Sequence, residues 1–417
     1  MSGSRPDPAG AFRARFAVPR GAAGEPLIYF CGHSLGLMPL AARQVVGEEL
    51  DSWATLGIDA QFSGRRPWVD YAARVTAGFA ALAGAQPHEV VAMNALTVNL
   101  HLLMASFYRP RGARRRILIE AGAFPSDRHA ATAQITWHGL DPRDCLLELA
   151  PREGEDLLRA DDIDAAIERE GDSLALVLWP GVQYLTGQAF DLPRIARTAR
   201  RVGAAVGFDL AHAIGNIPLA MHESGADFAA WCSYKYLNAG PGAIGGAFVH
   251  ERHAQRDDLP RLSGWWGNDP ATRFRMAPGF EGARGAAGWQ VSNPPILSTA
   301  PLLASLAIFA EAGLPWLRGQ SIALTRALEA QVDALPAGEV ALISPRDPHA
   351  RGAQLSMRIR GPLGRGRHVH AALTARGIVC DWREPGILRI APVPLYNTID
   401  EVHRCGHALR EALAGAP

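Results

Sequence analysis

The chain has 417 residues, a net charge of +1 and 20% charged residues. That balance excludes a globally basic nucleic-acid or membrane-surface binder, and the length gives room for two or three domain-sized units around a large core. Among its 42 basic residues only one, Lys235, is a lysine.

Residues 1–26, rich in Gly, Ala, Pro and Arg, read as a loosely ordered lead-in without the apolar run of a signal peptide. Helical spacing dominates from 40 to 85. From 89 to 250, β-rich runs at 89–93, 116–120, 173–179, 204–209, 228–233 and 245–250 alternate with helical segments. One of those helices, 191–202, closes at Gly203. Strands separated by helices predict crossover units and a mainly parallel sheet, with ligands beyond the strands' C-terminal ends. Arg109, Arg111, Arg114, Arg115 and Arg116 read as a solvated loop entering the second strand. The apolar stretch 296–310 contains Ser298, Thr299, Pro301 and Ser305 and is too short to span a bilayer.

The tail reads as a separate small α/β unit. A strand at 354–360, a helix at 368–376 stopped by Gly377 and a strand at 386–393 precede a last helix, which opens on the capping box Thr398-Ile-Asp-Glu401. The expected division is 1–60 as an N-terminal segment packing with the small unit, 61–308 as the large cofactor-binding domain and 309–417 as the small domain. Five scattered cysteines (Cys31, Cys145, Cys232, Cys380, Cys405) without a Cys-x-x-Cys pair indicate neither a disulfide framework nor a zinc site. They suit a reducing cytoplasm.

Arginine cannot form an imine, whereas a lysine amine can lose its proton and attack a carbonyl. Lys235, in Cys-Ser-Tyr-Lys-Tyr-Leu-Asn-Ala-Gly, is therefore the candidate Schiff-base residue. Asp209 ends the run Val-Gly-Phe-Asp. A carboxylate at a strand end followed by an imine-forming lysine is what pyridoxal phosphate requires, because the acid keeps the pyridine nitrogen protonated. Thr97 stands where helical spacing begins after the first strand and can offer its hydroxyl and backbone amides to a phosphate. An isolated Thr there is more often a plain N-cap. Phe124 and Asp127 follow the second strand, placed to cover a cofactor ring and meet its polar edge. His212 reads equally as a core histidine or a ligand contact. His250-Glu-Arg-His253 offers two metal-type side chains but has no third ligand nearby in sequence, so no metal site is expected.

Seven segments together resemble the kynureninase family: 32–37 (Gly-His-Ser-Leu-Gly-Leu), 94–101 (Asn-Ala-Leu-Thr-Val-Asn-Leu-His), 124–128 (Phe-Pro-Ser-Asp-Arg), 207–212 (Gly-Phe-Asp-Leu-Ala-His), 232–240, 292–295 (Ser-Asn-Pro-Pro) and 391–397 (Ala-Pro-Val-Pro-Leu-Tyr-Asn). The resemblance runs in family order from Tyr29 to Asn397. It implies a fold-type-I transferase-like α/β enzyme: a large domain with a mainly parallel sheet between helices, plus a small C-terminal α/β domain. It implies pyridoxal 5'-phosphate held by Lys235 as a Schiff base, and a cytoplasmic homodimer with a site shared between subunits. The expected activity is hydrolytic Cβ–Cγ cleavage of L-kynurenine or 3-hydroxy-L-kynurenine, in tryptophan degradation or NAD biosynthesis. Under the resemblance, Asp209 pairs with the pyridinium, and Leu96, Thr97 and Tyr234 contact the phosphate. Phe124 stacks on the ring, and Pro125, Ser126, Asp127 and His212 are further cofactor-site contacts. Trp265 and Asn293 reach in from the neighbouring subunit, Arg389 clamps the substrate α-carboxylate, and Tyr234 donates a proton.

Several positions depart from the family pattern. His33 replaces an asparagine, Pro180 a phosphate-touching serine, and Gln183 an aromatic or histidine, while Gln61 aligns with a histidine implicated in substrate choice. Two rival functions keep the same pocket. A cysteine desulfurase or selenocysteine lyase needs a nucleophilic cysteine on a mobile loop, which neither Cys232 nor Cys380 resembles. A non-enzymatic cofactor carrier needs no carboxylate clamp, which Arg389 and Asn293 argue against.

Overall fold

The computed structural model describes residues 8–254, 256 and 258–416. Its large sheet has seven strands: β1 (Val90–Ala92), β2 (Arg116–Glu120), β3 (Leu146–Leu149), β4 (Leu174–Pro180), β5 (Ala205–Asp209), β6 (Phe228–Trp231) and β7 (Gly246–Val249), in the spatial order β1-β7-β6-β5-β4-β2-β3. β7 runs antiparallel to both of its neighbours, and the remaining pairs are parallel. This is the mainly parallel α/β architecture expected from the alternating pattern.

Period-two alternation explains why both faces are covered. Val177 and Trp179 of β4 point into one apolar layer with Val206 and Phe208 of β5. Leu176 and Leu178 point into the opposite layer with Ile117, Ile119 and Phe228. Helices α1 (Leu40–Leu56) and α2 (Ala73–Ala83) precede these strands, α3 (Leu96–Phe107), α4 (Pro125–Trp137), α5 (Ala160–Glu170), α6 (Leu192–Arg201) and the short α7 (Met221–Ser224) are interleaved with them, and α8 (Ile296–Ala312) packs against α1. α8 ends at Gly313, where α9 (Leu314–Asp333) starts at an angle of 84°. Among the described residues no single helix is long and apolar enough to cross a membrane.

A third apolar cluster lies under a four-stranded antiparallel sheet of β8 (Val340–Leu342), β9 (Leu355–Ile359), β10 (Asp381–Arg383) and β11 (Ile387–Ile390), ordered β8-β9-β11-β10. Helices α9, α10 (Arg365–Ala375) and α11 (Ile399–Ala414) complete it. The capping box of α11 forms as expected, Thr398 Oγ1 accepting from the Glu401 amide at 3.2 Å. The N-terminal segment joins this unit: Ile28 and Tyr29 pair in parallel with Ile378 and Val379, and Cys31 bridges to Ala391. Strands β3, β8 and β10 are absent from the sequence reading. All three lie at a sheet edge and are only half-buried, so they lack the continuous apolar run of the inner strands.

Gly207 of β5 lies two residues before Asp209 and faces the buried Phe228 ring. A Cβ built there would sit 2.0 Å from Phe228 Cζ. Overpacking of this kind costs about 1–3 kcal/mol. Gly207→Ala should lower the denaturant midpoint correspondingly with an unchanged slope, and Phe228→Leu in the same chain should restore much of the loss. An unchanged midpoint in Gly207→Ala would show that the ring yields freely.

Candidate functional site

One cavity opens beyond the C-terminal ends of the parallel strands, where loops from five of them converge. Ala95, Leu96 and Thr97 follow β1, and Glu120, Phe124, Ser126 and Asp127 come from the end of β2 and the loop after it. Pro180, Val182 and Tyr184 follow β4, Asp209 and His212 follow β5, and Tyr234 and Lys235 follow β6. Ten positions read from the sequence therefore meet here: Leu96, Thr97, Phe124, Ser126, Asp127, Pro180, Asp209, His212, Tyr234 and Lys235.

Local geometry explains why each segment takes its shape. Asn94 adopts φ +44°, a left-handed turn that asparagine tolerates, and its carbonyl accepts the Gly245 amide at 2.6 Å. The chain then enters α3 through Ala95, whose side chain caps nothing, so the first-turn amides face the cavity without a side-chain partner. Pro125 occupies the first position of α4, where its missing N–H costs nothing. It lies on the surface of that helix, outside the cavity lining. Asp209 Oδ1 accepts the Ala211 amide at 2.7 Å, which fixes the carboxylate as β5 ends.

The lysine loop is braced from the N-terminal side. The Gly36 amide donates to the Tyr234 carbonyl at 2.8 Å. A Cβ on Gly36 would lie 2.3 Å from the Lys235 carbonyl, so this approach requires glycine. Lys235 Nζ sits 5.8 Å from the centroids of both the Phe124 and the Tyr234 rings.

Electrostatics in the cavity are strongly biased. Burial first, then the adjacent Asp209 charge, pushes the Asp127 carboxyl well above the usual carboxylate range, while Ser126 and Lys235 oppose the shift. Burial and then the Lys235 charge hold His212 well below the ordinary histidine value, so it is a neutral imidazole. Its Nδ1 is buried without a hydrogen-bond partner. His33 is fully buried and held neutral by burial and then by Arg389, and its ring lies 6.3 Å from that of His212. Burial, followed by Cys232, raises Tyr234, which keeps its phenolic proton.

Arg389 lies on β11 at 1% exposure. Its Nε donates to Asp381 Oδ2 at 2.6 Å and its Nη1 to the Tyr184 carbonyl at 2.5 Å. Tyr184 in turn packs edge-on against Phe124, with centroids 5.1 Å apart. The small unit thus reaches the cavity through Tyr184. Trp265 and Asn293 are not brought to this cavity. Trp265 is 45% exposed, donates to the Arg273 carbonyl and packs on Phe274, and Asn293 is exposed. Gln183 turns away from a ring-stacking role: its Oε1 accepts the Leu185 and Thr186 amides at 2.6 and 2.7 Å.

Four lining residues were not singled out from the sequence: Ala95 and Val182, which carry no chemistry of their own, and Tyr184 and Glu120. Tyr184 carries no motif, because its relevance comes from contacts across the two units. Glu120 is the last residue of a β-rich run, and the ends of parallel strands line ligand sites; that signal was available. Burial raises its carboxyl from 4.5 to about 8, with Gln183 opposing and Asp209 adding to the shift.

The C-terminal part of the chain, residues 317–409, matches the family model of the kynureninase C-terminal domain. Curated relatives match over nearly the whole length. The kynureninase of Xanthomonas campestris pv. campestris (strain B100) is 54% identical over 398 residues, covering 95% of this chain and 93% of the relative. The kynureninase of Stenotrophomonas maltophilia (strain K279a) is 53% identical, covering 98% and 96%. Solved structures share the fold at lower identity. The cysteine desulfurase CsdA from Escherichia coli superposes with a TM-score of 0.79 at 18% identity, covering 98% of this chain and 99% of that one. The cystine C–S lyase C-DES gives 0.78 at 20%, covering 94% and 98%.

The Glu120 carboxyl sets a pH dependence in the cofactor-free protein. An unfolded chain loses this proton near 4.5, whereas the folded chain keeps it to about 8. Folded protein therefore binds more protons across that window, and stability falls with rising pH by up to about 1.4 kcal/mol per unit. Glu120→Gln should remove that component, so that variant and parent diverge in favour of the variant from pH about 5 to about 8. Parallel denaturation profiles for the two proteins would contradict the buried, protonated state.

Proposed function

This chain belongs to the kynureninase family, and we propose the roles by which its residues carry out that family's hydrolysis. Its activity is the pyridoxal 5'-phosphate-dependent cleavage of the Cβ–Cγ bond of kynurenine, or its 3-hydroxy derivative, to anthranilate or 3-hydroxyanthranilate and L-alanine. One observation carries the assignment of roles: the only lysine lines the same cavity as Asp127 and Asp209.

The residues present fit the cofactor. Uncapped amides at the start of α3, with Thr97, suit a phosphate. The Asp127–Asp209 pair suits the polar edge of a protonated pyridine, and the orphaned Nδ1 of His212 is a buried group awaiting a partner. Pro180 offers the phosphate neither hydroxyl nor N–H, which leaves more of that task to α3. When bound, pyridoxal phosphate supplies an aldehyde for amine attachment and a ring that stores an electron pair from the substrate.

Lys235 would hold the cofactor through Nζ, and its free amine would accept the proton leaving the substrate Cα. Asp209 keeps a proton on the pyridine nitrogen. Phe124 covers the ring face and excludes water from it. Arg389, already fixed by Asp381 and the Tyr184 carbonyl, presents its remaining donors to the α-carboxylate. Tyr234, which keeps its proton, donates it to the alanine fragment after the Cβ–Cγ bond breaks. Cysteine chemistry is disfavoured here. Cys31, which feels the Arg389 charge, is pushed up to about 12 by burial and then by Asp381, so it is a thiol and not a thiolate.

We also read the protein as a cytoplasmic homodimer that completes its site across subunits. Ile58, Phe62, Phe274 and Met276 are 78, 64, 49 and 72% exposed, and Phe62 and Phe274 touch at 5.6 Å. Contiguous exposed apolar surface of this kind favours association, and it adjoins Trp265, which packs on Phe274. The division into 1–60, 61–308 and 309–417 is our working description of the parts. Five free cysteines accord with a reducing compartment. A place in tryptophan degradation or NAD biosynthesis accords with the products.

Lys235→Ala should retain almost no anthranilate release and lose the absorbance of lysine-bound cofactor; survival of that absorbance would refute the assignment. Arg389→Lys should raise KM for kynurenine about 10–100-fold with a smaller change in kcat. An unaltered KM would remove Arg389 from the carboxylate site. Ile58→Asp with Phe62→Asp should give a monomer in sedimentation and depress turnover, because Trp265 and Asn293 would no longer reach a neighbour's cavity. A fully active monomer would exclude the shared site.

A further inference from the structure

The His250-to-His253 segment separates in the fold. His253 Nε2 turns inward to Asp227 at 2.8 Å. His250 turns the other way, to residues distant in sequence. Its ring stacks on that of His222, with centroids 5.3 Å apart and planes 21° from parallel. Both rings direct Nδ1 at Glu89: His222 Nδ1 is 3.0 Å from Oε1 and from Oε2, and His250 Nδ1 is 3.7 Å from Oε1. The three donor atoms all lie within 4.8 Å of one another. Sequence spacing concealed this, because the ligands come from the turn before β1, from α7 and from the end of β7.

Glu89 is an unusually well-held carboxylate. It is fully buried, and the amides of Gln86 and Glu251 donate to its Oε2 and Oε1 at 2.9 and 2.8 Å. Those bonds fix the group while leaving acceptor capacity on both oxygens. A zinc ion bound at about 2.0–2.2 Å spaces tetrahedral donors about 3.3–3.6 Å apart. The observed 3.0 and 3.7 Å bracket that edge, and the remaining pair of donors lies within 4.8 Å, so the rings need only close around the ion. Side-chain exposures of 28% for His222 and 14% for His250 leave an entry path and room for water as fourth ligand. β7 pairs antiparallel with β1, so the start of β1 and the end of β7 share the sheet end facing away from the Lys235 cavity.

We propose that Glu89, His222 and His250 form a binding site for a borderline divalent transition metal, Zn²⁺ by donor set, separate from the catalytic cavity. Two imidazoles and one carboxylate with an open position match that class of ion. Binding replaces the proton that His222 Nδ1 shares with Glu89 and releases it to solvent. It also displaces the long 3.2 Å bond from the Arg252 amide to His250 Nδ1.

The test uses chelator-treated holoenzyme. Titration calorimetry should find one Zn²⁺ per chain, Co²⁺ should give the visible absorption of a four-coordinate ion, and the melting temperature should rise with added Zn²⁺. His222→Gln and His250→Gln should each weaken binding at least about tenfold, whereas His253→Gln, whose ring serves Asp227, should bind as the parent does. His222→Phe keeps the ring stack and should show the same loss, which separates ligation from misfolding. No uptake at millimolar metal, or equal uptake by the parent and both ligand variants, overturns the proposal.

Discussion

A lysine set against two crowded carboxyl groups in one cavity is the interaction on which the rest of this structure depends. Asp127 and Asp209 cannot both be fully ionised at low cost there, and burial with mutual repulsion raises Asp127 accordingly. Lys235 relieves part of that strain through its charge. A ligand that brings a protonated ring nitrogen relieves more, because it supplies the cation that the carboxyl pair lacks. The same reasoning explains the neutral imidazoles. His33 and His212 are held neutral first by burial and then by the Arg389 and Lys235 charges, which would repel a further cation.

Holding such a cavity together requires segments far apart in sequence. The parallel strands deliver Asp209, Glu120 and the loops bearing Phe124 and Lys235 to one end of the sheet. Arg389 belongs to a different sheet, and its guanidinium is fixed by Asp381 from its own sheet and by the Tyr184 carbonyl from the large unit. The N-terminal segment ties the two: Cys31 bridges to Ala391, next to Arg389's strand, and Gly36 presses on the lysine loop. Substitutions in 31–36 are thus expected to act on both the nucleophile and the clamp without touching the ligand.

Polar burial divides into two kinds in this molecule. Glu89, Asp227 and Gln183 are buried and well bonded, and they staple loops together at a sheet end or a turn. His212 is buried with an Nδ1 that lacks a partner. An unpaired buried polar atom is costly in a low-dielectric interior, and one that lines the Lys235 cavity suits a ligand that supplies its partner.

The sequence by itself determined the chemistry and the class of fold. A lone lysine among arginines, an aspartate closing a β-rich run and alternating strand and helix patterns are local signals, readable because period and residue type act over a few positions. The inner strands were legible for the same reason, and the edge strands Leu146–Leu149, Val340–Leu342 and Asp381–Arg383 were not, since half-burial blurs their pattern. Only the tertiary structure decided which groups meet. It brought Tyr184 and Arg389 together, buried Glu120 beside the carboxyl pair, sent His250 and His253 to different partners, and left Trp265 and Asn293 on the surface. Those outcomes depend on long-range packing and on the loss of water around each group, and neither is encoded in the spacing of neighbours along the chain.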